Sequence, residues 1–129
     1  MRCEDDTPRP SRVEIGRQAE QLVARYLELR GYRILASNAR TGPREIDLVA
    51  HRSGVVAIVE VRFRAREEFG AAEESVRARK RRDLLRAGRA WWLCHGRALG
   101  RLRFDLIAVR FTARGLRLRH YPSFFAPSG

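Results

Sequence analysis

Arg44-Glu45-Ile46-Asp47-Leu48-Val49-Ala50, then Ser53-Gly54, then Val55-Val56-Ala57-Ile58-Val59-Glu60-Val61-Arg62: the reading of the chain turns on this stretch. It predicts a β-hairpin that reverses at Ser53-Gly54. Its second strand is almost wholly apolar and β-branched, the pattern of a strand covered on both faces. One carboxylate, Glu60, interrupts that run, and the first strand carries another, Asp47, between Ile46 and Leu48. A buried carboxylate is costly unless a partner or a cation compensates it. Two acids inside paired apolar strands therefore call for a shared cation or a strong basic partner. Strict alternation puts Glu60 and Arg62 on one face of their strand, and Glu45, Asp47 and Val49 on one face of theirs.

Upstream, Ser11-Arg12-Val13-Glu14 has the form of a capping box. Ile15, Ala19, Leu22, Val23, Tyr26 and Leu27 follow at helical spacing, and Gly31 is a natural stop, so a helix is expected over roughly Arg12 to Arg30. Tyr32, Ile34 and Ala36 alternate as a strand to Asn38, and Thr41-Gly42-Pro43 turns the chain into the hairpin. Downstream, the charged stretch around Phe69-Gly70 reads as a loop. Val76, Lys80, Leu84, Ala87, Trp91 and Cys94 then recur at helical spacing up to Gly96. Leu102 to Phe111 and Leu116 to Tyr121 are two further strands. Residues 1–11 are expected as a disordered tail, 12–121 as a single domain, and 122–129 as a tail whose aromatics either cap the core, the reading preferred, or stack on bases.

At 129 residues there is room for one core. No apolar run approaches the roughly 20 residues of a membrane span. The N-terminus lacks the apolar stretch of a secretory signal. A cytoplasmic protein with no membrane partner is expected. Cys3 and Cys94 match no metal or redox spacing, and both are expected as reduced thiols with Cys94 buried. His51, His95 and His120 are scattered and give no metal pattern. The formal charge of +12 implies a polyanionic partner, nucleic acid first. The basic residues are 26 Arg and one Lys, Lys80. Arg64, Arg66, Arg77, Arg79 and Arg82 are expected to form one phosphate-contacting face, although such a run is also what a solvated helix face looks like. Lys80 shares the apolar face of its helix; it either snorkels to solvent or reaches the acidic site.

Asp, a gap, then Glu-x-Lys at a strand end is similar to the metal site of the PD-(D/E)XK nuclease superfamily. The wider stretch resembles the YraN-type family of small bacterial endonuclease-like proteins, related to Holliday junction resolvases. That family's signature reads roughly Gly-Glu-Ile-Asp-Leu-Ile-Ala, then Val-Glu-Val-Lys. Here Arg44 stands for the Gly and Arg62 for the Lys. The resemblance covers about Val13 to Val109. It implies an α/β fold with a PD-(D/E)XK endonuclease-like core, αβββαβ, whose mixed central sheet is flanked by helices. It implies Mg²⁺ held by Asp47, Glu60 and the backbone carbonyl of Val61, with Arg62 in the place of the motif lysine. The family's first helix begins Gly-x-x-Gly-Glu and counts that Glu with the active site. Gly16 and Glu20 match, and Ala19 replaces the second Gly. Glu20 is thus either a site residue or a solvated partner of Arg17. The family also has a Lys at Lys80 and the triplet Arg103-Phe104-Asp105, where Asp105 is expected first in a structural role. The resolvases act as dimers, so the resemblance also implies a homodimer.

The expected function is nucleic-acid binding on an endonuclease-like fold, with Mg²⁺-dependent cleavage of branched or structured DNA as the implied activity. The alternatives are a catalytically degenerate DNA-binding module and an adaptor for an acidic protein partner. Arg62 weighs on this choice. A guanidinium stays charged and cannot act as a base, and it pairs well with Glu60 or Asp47. Weak or absent cleavage with DNA binding retained is therefore expected, with Lys80 the other amine that can reach in.

Overall fold

The computed structural model describes residues 12–64 and 78–125. In chain order it has α1 (Arg12–Leu29), β1 (Arg33–Thr41), β2 (Arg44–Arg52), β3 (Val55–Arg64), α2 (Ala78–Trp91), a π-helical turn (Trp92–Gly96), β4 (Arg101–Thr112) and β5 (Gly115–Tyr121). The five strands form one mixed sheet in the order β1-β2-β3-β4-β5. Among the described residues only β3 and β4 pair in parallel, from Val55↔Arg101 to Arg64↔Arg110; the other pairs are antiparallel. A parallel pair needs a crossover, and α2 lies within it. This is the mixed α/β arrangement expected from the sequence. Ser11 of the capping box, Phe69-Gly70, Val76 and Cys3 lie outside the described residues.

β3 is covered on both faces, as its composition requires. Ala57 and Val59 meet Ala19, Val23 and Leu27 of α1. Val56 and Ile58 meet Leu84 and Ala87 of α2, with Phe104 and Leu106 beside them. The hairpin reverses where expected, with Ser53 and Gly54 both left-handed (φ 50° and 74°), the pair of conformations that matches strand twist. Gly31 (φ 90°) ends α1, and the Tyr32 N–H closes the motif on the Leu27 carbonyl at 2.9 Å.

Alternation fails in two places, both near the acids. A bulge lies between the pairs Ile34↔Ala50 and Ala36↔Val49. Ile34 therefore packs on the α1 side while Leu35 and Ala36 pack on the α2 side. The alternation of Tyr32, Ile34 and Ala36 expected from the sequence stops there. Asn38 (φ 52°) lies between the pairs Ser37↔Leu48 and Ala39↔Ile46, opposite Asp47. Ile46 packs with Val49 on the α2 side, whereas Leu48 and Ala50 face α1. Glu45 and Val49 thus do not share a face, because the strand changes parity at Asp47.

Two further expectations change. Cys94 is exposed, not buried: the π-helical turn shifts it off the stripe that Leu84 and Ala87 define. Residues 122–125 do not trail away. Phe125 is fully buried among Leu84 and Phe104, the core-capping use expected of these aromatics. Among the described residues no helix is long and apolar enough to cross a membrane.

Candidate active site where β2 and β3 part

The β2–β3 ladder runs from Arg52↔Val55 to Leu48↔Val59, while β3 continues beside β4 as far as Arg64. Asp47 and Glu60 are the first residues past the last pair. The Val61 N–H donates instead to Asp47 Oδ2, at 2.8 Å. A side chain thus takes the place of the departing strand, and it ties the two acid-bearing segments together.

Glu60 is 3% exposed. Its two oxygens are held by different guanidiniums: Arg44 Nη2 lies 3.4 Å from Oε1 and Arg62 Nη1 lies 3.1 Å from Oε2. These are the two positions at which the hairpin departs from the signature it resembles. The Nε atoms of both arginines are buried with no hydrogen-bond partner. Asp47, half-buried, is pushed up from 3.8 to about 8. Burial is the main cause and the Glu60 charge the next; the Val61 N–H and the Arg62 guanidinium work against them. Glu20 reaches this region from α1. Burial raises its carboxyl, an Asn38 hydrogen bond opposes that, and the charges of Glu45 and Glu60 raise it further. Arg17 acts on it only weakly, as the last of these causes. Lys80, at the start of α2, is exposed rather than inward. Its ammonium is nonetheless lowered, by partial burial first and then by Arg62, with Glu60 and Asp47 opposing. Lys80 thus belongs to the same electrostatic neighbourhood.

Of the expected site residues, then, the fold brings together Glu20, Asp47, Glu60, Arg62 and Lys80, with Val61 contributing its N–H. Arg79 and Arg82 are exposed on the first turns of α2. Arg64 ends β3 opposite Arg110, and its side chain, like the whole of Arg66 and Arg77, lies outside the described residues. Among the described residues no group of three or more His, Cys, Asp or Glu side chains is arranged to hold a metal ion. The sequence reading gave no role to Asn38 or Arg44. Asn38 carried a signal, since asparagine is a poor strand former that tolerates the left-handed region. Arg44 carried one only as a departure from the signature.

A second polar cluster lies deeper on β4. Asp105 is fully buried and accepts both prongs of Arg103, at 2.8 and 2.7 Å, together with His120 Nε2 at 2.9 Å and the Ser123 N–H at 3.0 Å. Arg103 also donates to the Tyr32 hydroxyl at 2.7 Å. Burial drives the Asp105 carboxyl up, but the hydrogen bonds from His120, Arg103 and Ser123 outweigh it and hold the group below its ordinary value. Both oxygens of Asp105 are satisfied, and the cluster joins β4, β5 and the link between α1 and β1: a structural role, as expected for Asp105.

The profile of the family described as "Uncharacterised protein family UPF0102" matches residues 19–109. A UPF0102 protein of Anaeromyxobacter dehalogenans is 40% identical over 118 residues, covering 92% of this chain and 88% of that one. Another, of Halorhodospira halophila, is 44% identical over 94 residues, 73% of this chain and 75% of that one. Among solved structures, Pyrococcus furiosus SfsA in complex with Ca²⁺ is similar over 83% of this chain and 62% of that chain, at 15% identity and a TM-score of 0.37. The matched segment runs from the buried stripe of α1 through both acids to the end of the β4 core, and the chain belongs to the UPF0102 family, the YraN-type family that its hairpin resembles.

Proposed function

We propose that the protein binds nucleic acid with its acidic cleft against the backbone, and that this cleft is a PD-(D/E)XK-type site for a phosphodiester. The observation behind this reading is the convergence of Asp47 and Glu60, with Arg62 and Lys80 in reach, where β2 and β3 part. The charge of +12 supplies the attraction for a polyanion. The donors suit a hard cation: two carboxylates, with water and phosphate oxygens for the remaining positions, are an ordinary set for Mg²⁺. Burial and the Glu60 charge push Asp47 up, so this pair gains from added positive charge. Asp47, Glu60 and the Val61 carbonyl would hold the ion, which when bound supplies an ionised water and neutralises charge on the phosphate. Arg62 stays cationic and stabilises charge without accepting a proton. Lys80 stands at the same cleft as the other cation, and Arg79 and Arg82 continue the basic surface along α2; Arg64, Arg66 and Arg77 are proposed as further phosphate contacts on their charge alone. The reading places the protein in the cytoplasm with DNA, as a homodimer in the manner of the resolvases.

Binding without cleavage is a second reading, favoured by the hold of two guanidiniums on Glu60. One experiment separates the two. Linear, nicked and four-way DNA are incubated with Mg²⁺ or Mn²⁺, and Mg²⁺ binding is followed by calorimetry. Cleavage together with a heat abolished by Asp47→Ala establishes the nuclease. Salt-sensitive binding with neither establishes the binding module. Absence of salt-sensitive binding to any DNA sinks both and leaves an acidic protein partner.

A further inference from the structure

On α1, Arg17, Glu20, Gln21, Ala24 and Glu28 recur at three- and four-residue steps and form one stripe. This stripe, β1 and Leu48 of β2 line a half-open cavity of about 300 Å³, at the lower end of the range of small-molecule sites. Its apolar floor is Ala24, Ile34 and Leu48, and Ser37, Asn38 and Gln21 line its sides. The left-handed Asn38 lies on this wall, while the bulged Leu35 turns to the opposite, α2 side of the sheet. Backbone held in such conformations concentrates at functional sites.

The lining says what the cavity takes. One guanidinium, Arg17, stands among two carboxylates, Glu20 and Glu28, so an anionic phosphate is a poor occupant. Amide and hydroxyl groups around an apolar floor suit a flat, neutral group that both donates and accepts hydrogen bonds. Carboxylates accept from the exocyclic amines of such rings, and amides pair with them at two points. The position says how that group arrives. Glu20 lines the cavity and also feels the charge of Glu60, and Leu48 on the floor adjoins Asp47. The cavity therefore opens beside the acidic cleft.

We infer that this cavity is a nucleobase pocket, which receives an unpaired base next to the phosphodiester lying in the Asp47–Glu60 cleft. The inference rests on the nucleic-acid reading given above and narrows it. The preferred ligand is nucleic acid with an unpaired nucleotide at a bulge, flap or branch, because a base already out of the stack spares the few kcal/mol that unpairing costs.

The test compares two DNA duplexes of one sequence, one continuous and one with a single-nucleotide 2-aminopurine bulge, by fluorescence anisotropy at fixed salt. The wild-type chain should bind the bulge at least about tenfold more tightly, of the order a mismatched contact is worth, and the 2-aminopurine emission should change on binding. Ala24→Leu, which fills the floor, and Gln21→Ala, an exposed position whose loss leaves the core intact, should each bring the ratio toward one. Equal wild-type affinity for the two duplexes, or a ratio untouched by both substitutions, overturns the pocket and leaves the nucleic-acid reading standing. Failure to bind either duplex overturns both.

Discussion

Glu60 is a carboxylate already provided with counter-charge, and the residues that provide it are the two arginines at which the hairpin departs from its signature. Arg62→Lys replaces a fork with a compact ammonium that can give up its proton when buried. Cleavage of branched DNA should rise by about a hundredfold, the low end of what a positioned proton-transfer group contributes, and Lys80→Ala should lower whatever cleavage the wild-type chain shows. Brisk wild-type cleavage that Arg62→Lys leaves unaltered would remove this position from the chemistry. Asp47 has a signature of its own. Its folded value of about 8 lies above the ordinary 3.8, so the folded state holds the proton more tightly than the unfolded chain does. The stability this brings is complete below about pH 4 and is lost as pH rises through about 8. In chelator, the melting temperature should therefore fall between about pH 5 and 8, and Asp47→Asn should flatten that slope. A melting temperature that rises over this interval in the wild-type chain would contradict the half-buried, proton-bearing Asp47.

At the scale of elements, the close approach of α2 to the sheet is set by one glycine. A Cβ at Gly88 would meet the Phe104 ring and would lie 3.1 Å from Ile58 Cγ1. Alanine adds about 1 kcal/mol of helix propensity over glycine, but overpacking a filled core costs about 1–3 kcal/mol. Gly88→Ala should therefore destabilise the fold in a denaturant titration, and a gain in stability would show that α2 stands off from β4. The Asp105 cluster ties together elements distant in sequence. Asp105→Ala leaves Arg103 uncompensated and frees Ser123, and it should cost about 3–5 kcal/mol, as broken buried pairs do. A loss below about 1 kcal/mol would mean that solvent already reaches the pair. Much of this layer was legible beforehand. The β-branched run of Val55–Val61 specified a strand buried on both faces, Ser53-Gly54 specified the turn, and the stripe of Ala19, Val23 and Leu27 specified the face of α1. The rest was hidden for physical reasons. A bulge leaves composition unchanged, so nothing marked Leu35. The parity change at Asp47 depends on a left-handed residue in the neighbouring strand. The exposure of Cys94 depends on a π-helical turn whose residues read as ordinary helix. Asp47 and Glu60 could be picked out as acids in apolar runs, and Arg62 as a partner on the face of Glu60; Arg44 could not, because its approach to Glu60 depends on the parting of two strands, which pairwise pattern does not encode.

At the scale of the molecule, association with DNA should be governed by counterion release. The slope of log affinity against log salt should be about −0.9 per duplex phosphate neutralised, and Arg79→Glu with Arg82→Glu should weaken binding across all sequences and make that slope shallower. An unchanged slope in the double variant would take α2 out of the interface. The parallel pairing at the centre of the sheet has a different consequence, for how the chain reaches this form. Val55 must wait for Arg101, about 46 residues later, before β3 gains its second neighbour. At synthesis rates of about 5–20 residues per second that interval is roughly 2–9 s. Throughout it, Val55-Val56-Ala57-Ile58-Val59 presents an open, nearly uncharged, β-branched edge, the composition of segments that stack into fibrils. The strand that holds Glu60 in place is therefore also the stretch most exposed to self-association until β4 closes over it. Chains truncated before residue 101 should precipitate where the full chain stays in solution, and the order in which these two strands emerge makes folding itself the step at which this protein is most easily lost.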